Sequence, residues 1–348
     1  MIMAHAEAAP LGGKIFTPFF MFLGVIALVG FYFIGVRFVE GMGAVANING
    51  GFPWGIWVVY DVVVGTALAC GGYALAITIY LFNKGQYHPL MRAALLASLL
   101  GYALGGFGAF LDMGRYWQFY NMILPWQMNF NAVMLEVGLC VMTYILVLVI
   151  EFAPAFLEKI GAKGLLKALN KVLFLFIALG VVLPSMHQSS LGSFLIAMGY
   201  KVDELWQTVH FQPLLALMTA MTMGFSIVIF EASMSKAAFK TDDETPLLAK
   251  LGKIILGMLI AFLVIRFGEV IIAGKLANVF AFDRASLLFI IESSLFIIPV
   301  VVLLSEKARQ NPRALLWAAV SMLFAGALYR FNAFLLTYNP GPGYSYSR

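Results

Sequence analysis

Long apolar runs separated by short polar stretches make up almost the whole chain. Runs of about 20 hydrophobic residues recur from end to end, and each could cross a hydrocarbon core of ~30 Å as a helix. The intervening stretches are too short for a separate soluble domain. The sequence therefore predicts one all-α integral membrane domain over residues 1–348, a polytopic transmembrane helix bundle. About nine spans are predicted, at 15–36, 56–82, 93–113, 130–151, 172–197, 211–235, 252–273, 285–304 and 314–335.

Lysine and arginine are distributed unevenly across the predicted membrane. Fourteen of the 22 lie on the side of the N-terminus and six on the opposite side, while Arg266 and Arg330 fall within spans. Because cytoplasmic loops carry the excess of positive charge, the N-terminus is predicted to be cytoplasmic. The net charge of +5 is then a topology signal and does not indicate nucleic-acid binding. We expect a multi-pass protein of the bacterial cytoplasmic (inner) membrane, surrounded by the lipid bilayer.

Composition limits the cofactors that the chain can hold. The sequence is 62% hydrophobic and 11% charged, which is more apolar surface than a soluble domain can bury. Its two cysteines, Cys70 and Cys140, fall inside predicted spans and form no Cys-x-x-Cys motif. We therefore expect no iron–sulfur cluster in this chain.

Ionisable side chains inside the spans are candidates for function, because each costs several kcal/mol to place there. Depths estimated from the ~1.5 Å rise per residue put most of them in the outer half of the membrane or near its midplane. These residues are Asp61, Asp112, Glu136, His187, Arg266, Glu269, Glu292 and Arg330, while Tyr102 lies near the midplane and Glu151 and Glu231 lie towards the cytoplasmic side. The pattern predicts a polar cavity near the outer face. A quinone head group fits such a cavity, since it needs hydrogen-bond partners, a proton acceptor and an apolar slot.

Two spacings predict contacts between helices. The third span carries one continuous face of small residues ending in a carboxylate, namely Ser98, Gly101, Gly105, Gly108 and Asp112. Close helix packing explains the glycines better than a functional role does. In the seventh span, Arg266 and Glu269 are three residues apart and could form an internal ion pair.

His187 stands in the polar segment 183–192, Leu-Pro-Ser-Met-His-Gln-Ser-Ser-Leu-Gly. Pro184 is expected to break the helix there, with the serines satisfying the freed backbone groups. Broken helices at membrane depth line cavities, which favours a ligand or proton role for His187. A b-type haem would need two axial histidines on facing helices, and His5, His88 and His210 lie outside or at the edge of the spans. No haem is expected on this reasoning.

Several segments resemble the NrfD/polysulfide reductase membrane-subunit family, and most closely its HybB-type (hydrogenase-2) branch. The resemblance spans nearly the whole chain. The first matching segment is 53–57 (Pro-Trp-Gly-Ile-Trp), followed by Tyr60 and Asp61. The other matching segments are 111–116 (Leu-Asp-Met-Gly-Arg-Tyr), 134–137 (Met-Leu-Glu-Val), 183–192, 328–332 (Leu-Tyr-Arg-Phe-Asn) and 340–343 (Pro-Gly-Pro-Gly).

This resemblance implies a quinone-binding subunit of a respiratory complex. It implies menaquinone (or ubiquinone) as the redox substrate and a ferredoxin-like iron–sulfur partner. It also implies a catalytic module on the periplasmic side, a NiFe hydrogenase in the HybB-type branch, and proton translocation coupled to the redox step. A further helix after the Pro-Gly-Pro-Gly segment is expected in that branch.

The resemblance and the ionisable residues within the spans together suggest roles for individual residues. Quinone chemistry falls to Asp61, Asp112, Glu136 and His187. Quinone binding falls to Trp57, Tyr60, Asp112, His187 and Arg266. A proton route would use Tyr102, Glu136, Glu231 and Glu292.

Two other functions are compatible with the residue pattern. Buried carboxylates, an arginine and a broken helix also describe an ion-coupled secondary transporter, although such proteins typically show internal repeats and none is visible here. An inert anchor for a redox partner is the other, and it predicts no effect on quinone turnover when Glu136 or His187 is substituted.

Overall fold

The predicted helical spans are present in the computed structural model, which describes residues 14, 16–46, 48, 51–52, 54–208, 210–239 and 243–344. His5 and Pro53, both named above, lie outside these ranges. Within the ranges nine helices are long and apolar enough to cross a membrane. They are α1 Pro18–Glu40, α2 Ile56–Leu81, α3 Gly85–Asp112, α4 Val133–Lys159, α5 Lys163–Ala197, α6 Gln212–Phe239, α7 Thr245–Ile272, α8 Arg284–Leu304 and α9 Pro312–Leu336. We call the side on which α1 begins the near face and the side on which it ends the far face.

Helices α2 to α9 form two adjoining four-helix bundles. In the first bundle α2 packs on α3 and α5, and α4 packs on α3 and α5. In the second, α6 packs on α7 and α9, and α8 packs on the same two helices. The bundles meet where α2 and α5 pack on α6 and where α2 packs on α9. Helix α2 is therefore central, and 89% of its most apolar 18-residue window is buried.

Helix α1 lies outside both bundles. None of its most apolar 18-residue window is buried. Its far end is held by Arg37, whose guanidinium donates to the carbonyl oxygens of Leu111 and Met113 at the end of α3. The same guanidinium lies 4.8 Å from the ring centroid of Tyr116. One buried arginine thus ties α1 to the rest of the protein at the far face.

Helix α2 departs from regular α-helix at three places that the sequence pattern does not indicate. Segments Val59–Gly65 and Ile77–Leu81 are π-helical. Between them Ala69 and Cys70 have ψ angles of 3° and 10° and interrupt the helix. π-Helical turns are rare and concentrate at functional sites. The irregular backbone lies in the most buried span, and its polar side chains belong to the site described below.

The predicted break at Pro184 is wrong. Helix α5 runs unbroken from Lys163 to Ala197, with Pro184 inside it. The serines that follow donate back to carbonyl oxygens four residues earlier, as Ser185 does to Val181 at 2.7 Å and Ser189 does to Ser185 at 2.8 Å. The carbonyl that the proline leaves without its helical donor is that of Gly180, four residues earlier. The serine bonds support the adjoining turns, and the helix continues through the proline.

The small face of α3 serves helix packing, as predicted. Ser98 Oγ accepts a hydrogen bond of 2.8 Å from the amide of Gly72 on α2. A Cβ atom at Gly101 would lie 2.6 Å from Cβ of Ala69. A side chain at Gly108 would collide with the carboxylate of Asp61. These residues bring α3 into close contact with α2 and leave Asp61 the space beside Gly108.

The contact between the two bundles can be tested at Gly224. A Cβ atom there would lie 2.5 Å from the carbonyl oxygen of Cys70 and 2.7 Å from its carbon. Because this obstacle is backbone, Gly224→Ala should lower the free energy of unfolding by about 1–3 kcal/mol, even though alanine favours helix. Thermal unfolding of the detergent-solubilised protein measures the change.

Gly257→Ala is the matched control, since nothing lies within 4 Å of the added carbon on α7. That variant should be neutral or slightly stabilised. Equal thermal unfolding midpoints for the two variants would contradict the packing described where the two bundles meet.

Candidate functional site

A buried guanidinium marks the meeting point of the two bundles. Arg330 of α9 is only 2% exposed and has no carboxylate partner among the described residues. It donates instead to the carbonyl oxygen of Val63 at 2.9 Å, to Oε1 of Gln188 at 2.9 Å and to the carbonyl oxygen of Ala216 at 3.0 Å. A cation at this depth is stabilised by oxygen atoms on α2, α5 and α6.

Gln188 connects Arg330 to His187 and to α2. Its Nε2 lies 3.1 Å from Oγ1 of Thr66 and 2.9 Å from Nε2 of His187. The imidazole nitrogen of His187 is also 3.3 Å from Oγ1 of Thr66. All four side chains are buried, so an arginine, an amide, an imidazole and a hydroxyl form one continuous polar network. We call Arg330, Gln188, His187 and Thr66 the seam network.

Tyrosine side chains border this network within the first bundle. The ring of Tyr102 packs edge-on against His187, with centroids 5.6 Å apart, and against Tyr144 at 4.6 Å. Its hydroxyl lies 3.5 Å from Sγ of Cys70. Two of the residues predicted for function, His187 and Tyr102, are therefore in direct contact.

A pair of carboxylates lies at the far end of the α2–α3 contact. Asp61 occupies the space beside Gly108, and Asp112 is the last residue of α3. Both carboxylate oxygens of Asp112 are shielded from solvent, and neither has a hydrogen-bond partner among the described residues. Asp112 lies close enough to Asp61 and to Arg37 to interact electrostatically with both. Such an unsatisfied buried group calls for an explanation, and a ligand is one.

A second buried cluster lies in the other bundle. Arg266 of α7 forms an ion pair with Glu292 of α8. Glu292 also accepts hydrogen bonds from Nε1 of Trp206 at 2.8 Å and from Nδ2 of Asn332 at 2.7 Å. Removing one partner of a buried pair typically costs about 3–5 kcal/mol, because the other charge is left uncompensated.

The predicted pairing of Arg266 with Glu269 is wrong. Arg266 turns to α8, and Glu269 lies 3.2 Å from Nδ1 of His210 near the far face. Three aromatic rings surround the guanidinium of Arg266, with the nearest centroids, of Phe289 and Tyr329, at 4.7 and 4.9 Å. Cation–π contacts with these rings hold the guanidinium towards Glu292.

The remaining predicted residues stand outside these clusters. Tyr60 is 60% exposed on α2. Trp57, Glu136 and Glu231 are half-buried, the first two near the far face and Glu231 towards the near face. The structure thus joins His187 with Tyr102, Asp61 with Asp112, and Arg266 with Glu292.

Sequence reasoning missed several members of these clusters. Gln188 and Asn332 are neutral, so the search for charges inside spans passed over them, although both stand in segments that resemble the family. Thr66 and Trp206 carried no signal, because a threonine in a span or a tryptophan in a loop is ordinary. Arg330 was found as a buried charge, but its role at the seam depends on helix packing that one sequence does not show.

Comparison with known proteins gives a consistent picture. The family model described as "Polysulphide reductase, NrfD" matches residues 44–338. The chain is 47% identical over 346 residues to the "Probable Ni/Fe-hydrogenase 2 b-type cytochrome subunit" of Escherichia coli strain K12, covering 99% of this chain and 88% of the relative. It is 30% identical over 162 residues to the "Menaquinone reductase, integral membrane subunit" of Nitratidesulfovibrio vulgaris, covering 44% and 37%. With a selenate reductase subunit of Mesobacillus selenatarsenatis it shares 26% over 183 residues, covering 49% and 39%.

The expectation that the chain holds no haem is wrong by this comparison, because the Escherichia coli relative is named a b-type cytochrome subunit. The expectation counted histidine pairs alone, whereas haem iron also accepts methionine, cysteine and tyrosine ligands. Among the described residues, His187 is the only histidine that is buried. Iron ligation at its Nε2 would require the contacts with Thr66 and Gln188 to open.

The matched family, the extent of the match and the nine apolar helices agree with one another. The protein is a multi-pass protein of the bacterial inner membrane. It is a membrane subunit of a redox complex whose relatives include a hydrogenase-2 subunit, and the chain belongs to the NrfD family.

Proposed function

We propose that this subunit binds a quinone near the far face and passes electrons between a partner's iron–sulfur cluster and that quinone. Menaquinone is the proposed substrate, with ubiquinone as the chemical alternative. One relative is named as a menaquinone reductase subunit, which supports this choice. A NiFe hydrogenase module is the proposed source or acceptor of electrons, since another relative carries that name.

The observation that carries the proposal is the unsatisfied carboxylate of Asp112. Its two oxygens are buried and have no partner in the described parts of the chain. A quinol hydroxyl could donate a hydrogen bond to either oxygen. Asp61 lies beside Gly108, one helical turn before Asp112 on α3, and Tyr60 next to Asp61 is exposed. Such a site offers the few polar groups and apolar wall that a quinone head needs.

The chemistry needs protons as well as electrons. Reduction of a quinone to a quinol takes two electrons and two protons, and the reverse reaction releases both. We assign the electrons to the partner's clusters and the proton exchange to the carboxyl groups of Asp61 and Asp112. Carboxyl groups are suited to this, because a carboxylate can accept a proton and the protonated acid can donate it again.

The seam network provides a polar continuation into the protein. Thr66 lies five residues after Asp61 on α2, about one turn further along the π-helical segment. It contacts His187. The ring of Tyr102 packs edge-on against the same imidazole. We propose that His187 and Tyr102 supply protons to the far-face site, with Glu136 and Glu231 as further members of the route. Glu292 has the weaker case, since Arg266 already neutralises it.

The orientation of the subunit follows from its charges and is part of the proposal. The near face carries most of the lysines and arginines, so it would be cytoplasmic and the far face periplasmic. A ferredoxin-like iron–sulfur partner would then dock on the far face. There it would bring its cluster close to Asp61 and Asp112.

Asp112→Asn tests the proton-exchange step. We expect quinone-linked turnover of the intact complex to fall by about 10²-fold or more, because an amide cannot take up or release the proton. Turnover with an artificial dye that accepts electrons directly from the catalytic module should stay the same. Both rates are measured on the same purified complex.

Glu306→Gln is the control, since this carboxylate is exposed on the near face, away from both the proposed quinone site and the docking face. It should leave both rates unchanged. Equal loss of dye and quinone activity in Asp112→Asn would show a structural role, and full quinone activity would remove Asp112 from the site.

Tyr102→Phe tests the route into the seam. The ring contacts with Tyr144 and His187 stay, and only the hydroxyl next to Cys70 is lost. We expect quinone-linked turnover to slow roughly tenfold with little change in thermal stability. The solvent deuterium isotope effect on turnover should increase. Unchanged turnover and isotope effect would exclude Tyr102 from proton transfer.

A further inference from the structure

An apolar groove opens between the bundles in the near half of the protein, away from the proposed quinone site. Its volume is about 650 Å³, within the range of ligand-binding cavities. Helices α2, α6 and α7 contribute its walls. The lining residues are Ile77, Thr78, Phe82, Lys84, Met221, Phe225, Ile254 and Met258.

The interior of the groove offers no free hydrogen-bond donor to a ligand. Thr78 is its one polar wall residue apart from Lys84, and its hydroxyl already donates to the carbonyl oxygen of Ala74 at 2.9 Å. A quinone head placed there would leave both of its carbonyl groups without donors, which is unfavourable. Met221 and Met258 provide flexible, adaptable surface. These properties suit a hydrocarbon chain.

The mouth of the groove is positively charged. Lys84 follows the end of α2, where its amide donates to the carbonyl oxygen of Thr78 at 3.1 Å. Lys250 lies on α7 four residues before Ile254, so both are on the face that lines the groove. Its ammonium group contacts the neutral side chain of Gln86, at 3.1 Å. Within the described ranges neither lysine has a carboxylate partner.

We propose that this groove binds an anionic phospholipid. One acyl chain would occupy the cavity, and the phosphate would lie between Lys84 and Lys250. The distance from Lys250 to Met258 along α7 is about 12 Å, enough to receive the upper part of an acyl chain. Basic pockets between transmembrane helices commonly recognise anionic head groups. The proposal is independent of the quinone site at the far face.

Native mass spectrometry of the full chain in detergent tests the proposal. Phosphatidylglycerol, which is anionic, and phosphatidylcholine, which is zwitterionic, are titrated onto delipidated protein. We expect one phosphatidylglycerol to bind at least tenfold more tightly than phosphatidylcholine. The double variant Lys84→Gln/Lys250→Gln should lose this preference. Met258→Trp, which fills the groove, should weaken binding of both lipids.

Lys163→Gln/Lys167→Gln is the control, because these near-face lysines are on α5 and do not line the groove. It should bind like the unmodified chain. Equal binding of the two lipids, or an unchanged preference in Lys84→Gln/Lys250→Gln, would overturn the proposal in favour of ordinary bulk lipid. Loss of quinone instead of phospholipid from Met258→Trp would overturn it as well.

Discussion

The structure depends on how one buried cation is stabilised. Arg330 lies at the seam of the two bundles and contacts oxygen atoms on α2, α5 and α6. In a membrane interior a charge without such partners would cost several kcal/mol, so these helices must present their oxygen atoms to it. The cation therefore fixes the relative position of the two bundles.

This constraint accounts for irregular backbone beside the seam. Val63, which accepts a hydrogen bond from Arg330, lies in the first π-helical segment of α2. Another π-helical segment, Asn332–Leu336 at the end of α9, begins two residues after Arg330 and brings Asn332 to Glu292. Irregular backbone at this depth is tolerated where it is buried in protein or lines a cavity. Helices α2 and α9 meet that condition because they pack on each other.

The buried polar residues form two clusters, which differ in how fully their hydrogen bonds are satisfied. In the second bundle Glu292 is saturated by Arg266, Trp206 and Asn332, so that cluster is suited to holding helices together. In the first bundle Asp112 has no partner among the described residues, and His187 contacts a tyrosine ring. Proton exchange requires groups whose hydrogen bonds are free to change. The first bundle is accordingly where the proposed chemistry takes place.

The helical spans could be predicted because hydropathy and bilayer thickness determine them. All nine predicted spans overlap the helices, but α5 begins at Lys163 instead of residue 172, since a helix can continue beyond the point where charged residues begin. The packing face of α3 followed from its glycines. The predicted break at Pro184 is absent, because α5 packs on α4 and α6 and continues through the proline as one helix.

Only some members of the candidate site could be proposed from the sequence, for a physical reason. Charges in spans stand out individually, which identified Asp61, Asp112, His187 and Arg330. Their partners are set by helix packing, so the pairing of Arg266 with Glu292 and the role of Gln188 could not be read from spacing along one helix. Neutral residues such as Thr66 become informative only when a second helix is placed against them.

The quinone content of the gently purified complex tests the central claim most directly. Solvent extraction and chromatography measure it, and an absorption spectrum of the same preparation reports any haem, which the name of the Escherichia coli relative implies. The account predicts close to one menaquinone or ubiquinone per chain, and a marked loss of it in Asp112→Asn. Absence of quinone from a preparation that keeps its lipids and its unfolding temperature would contradict the account.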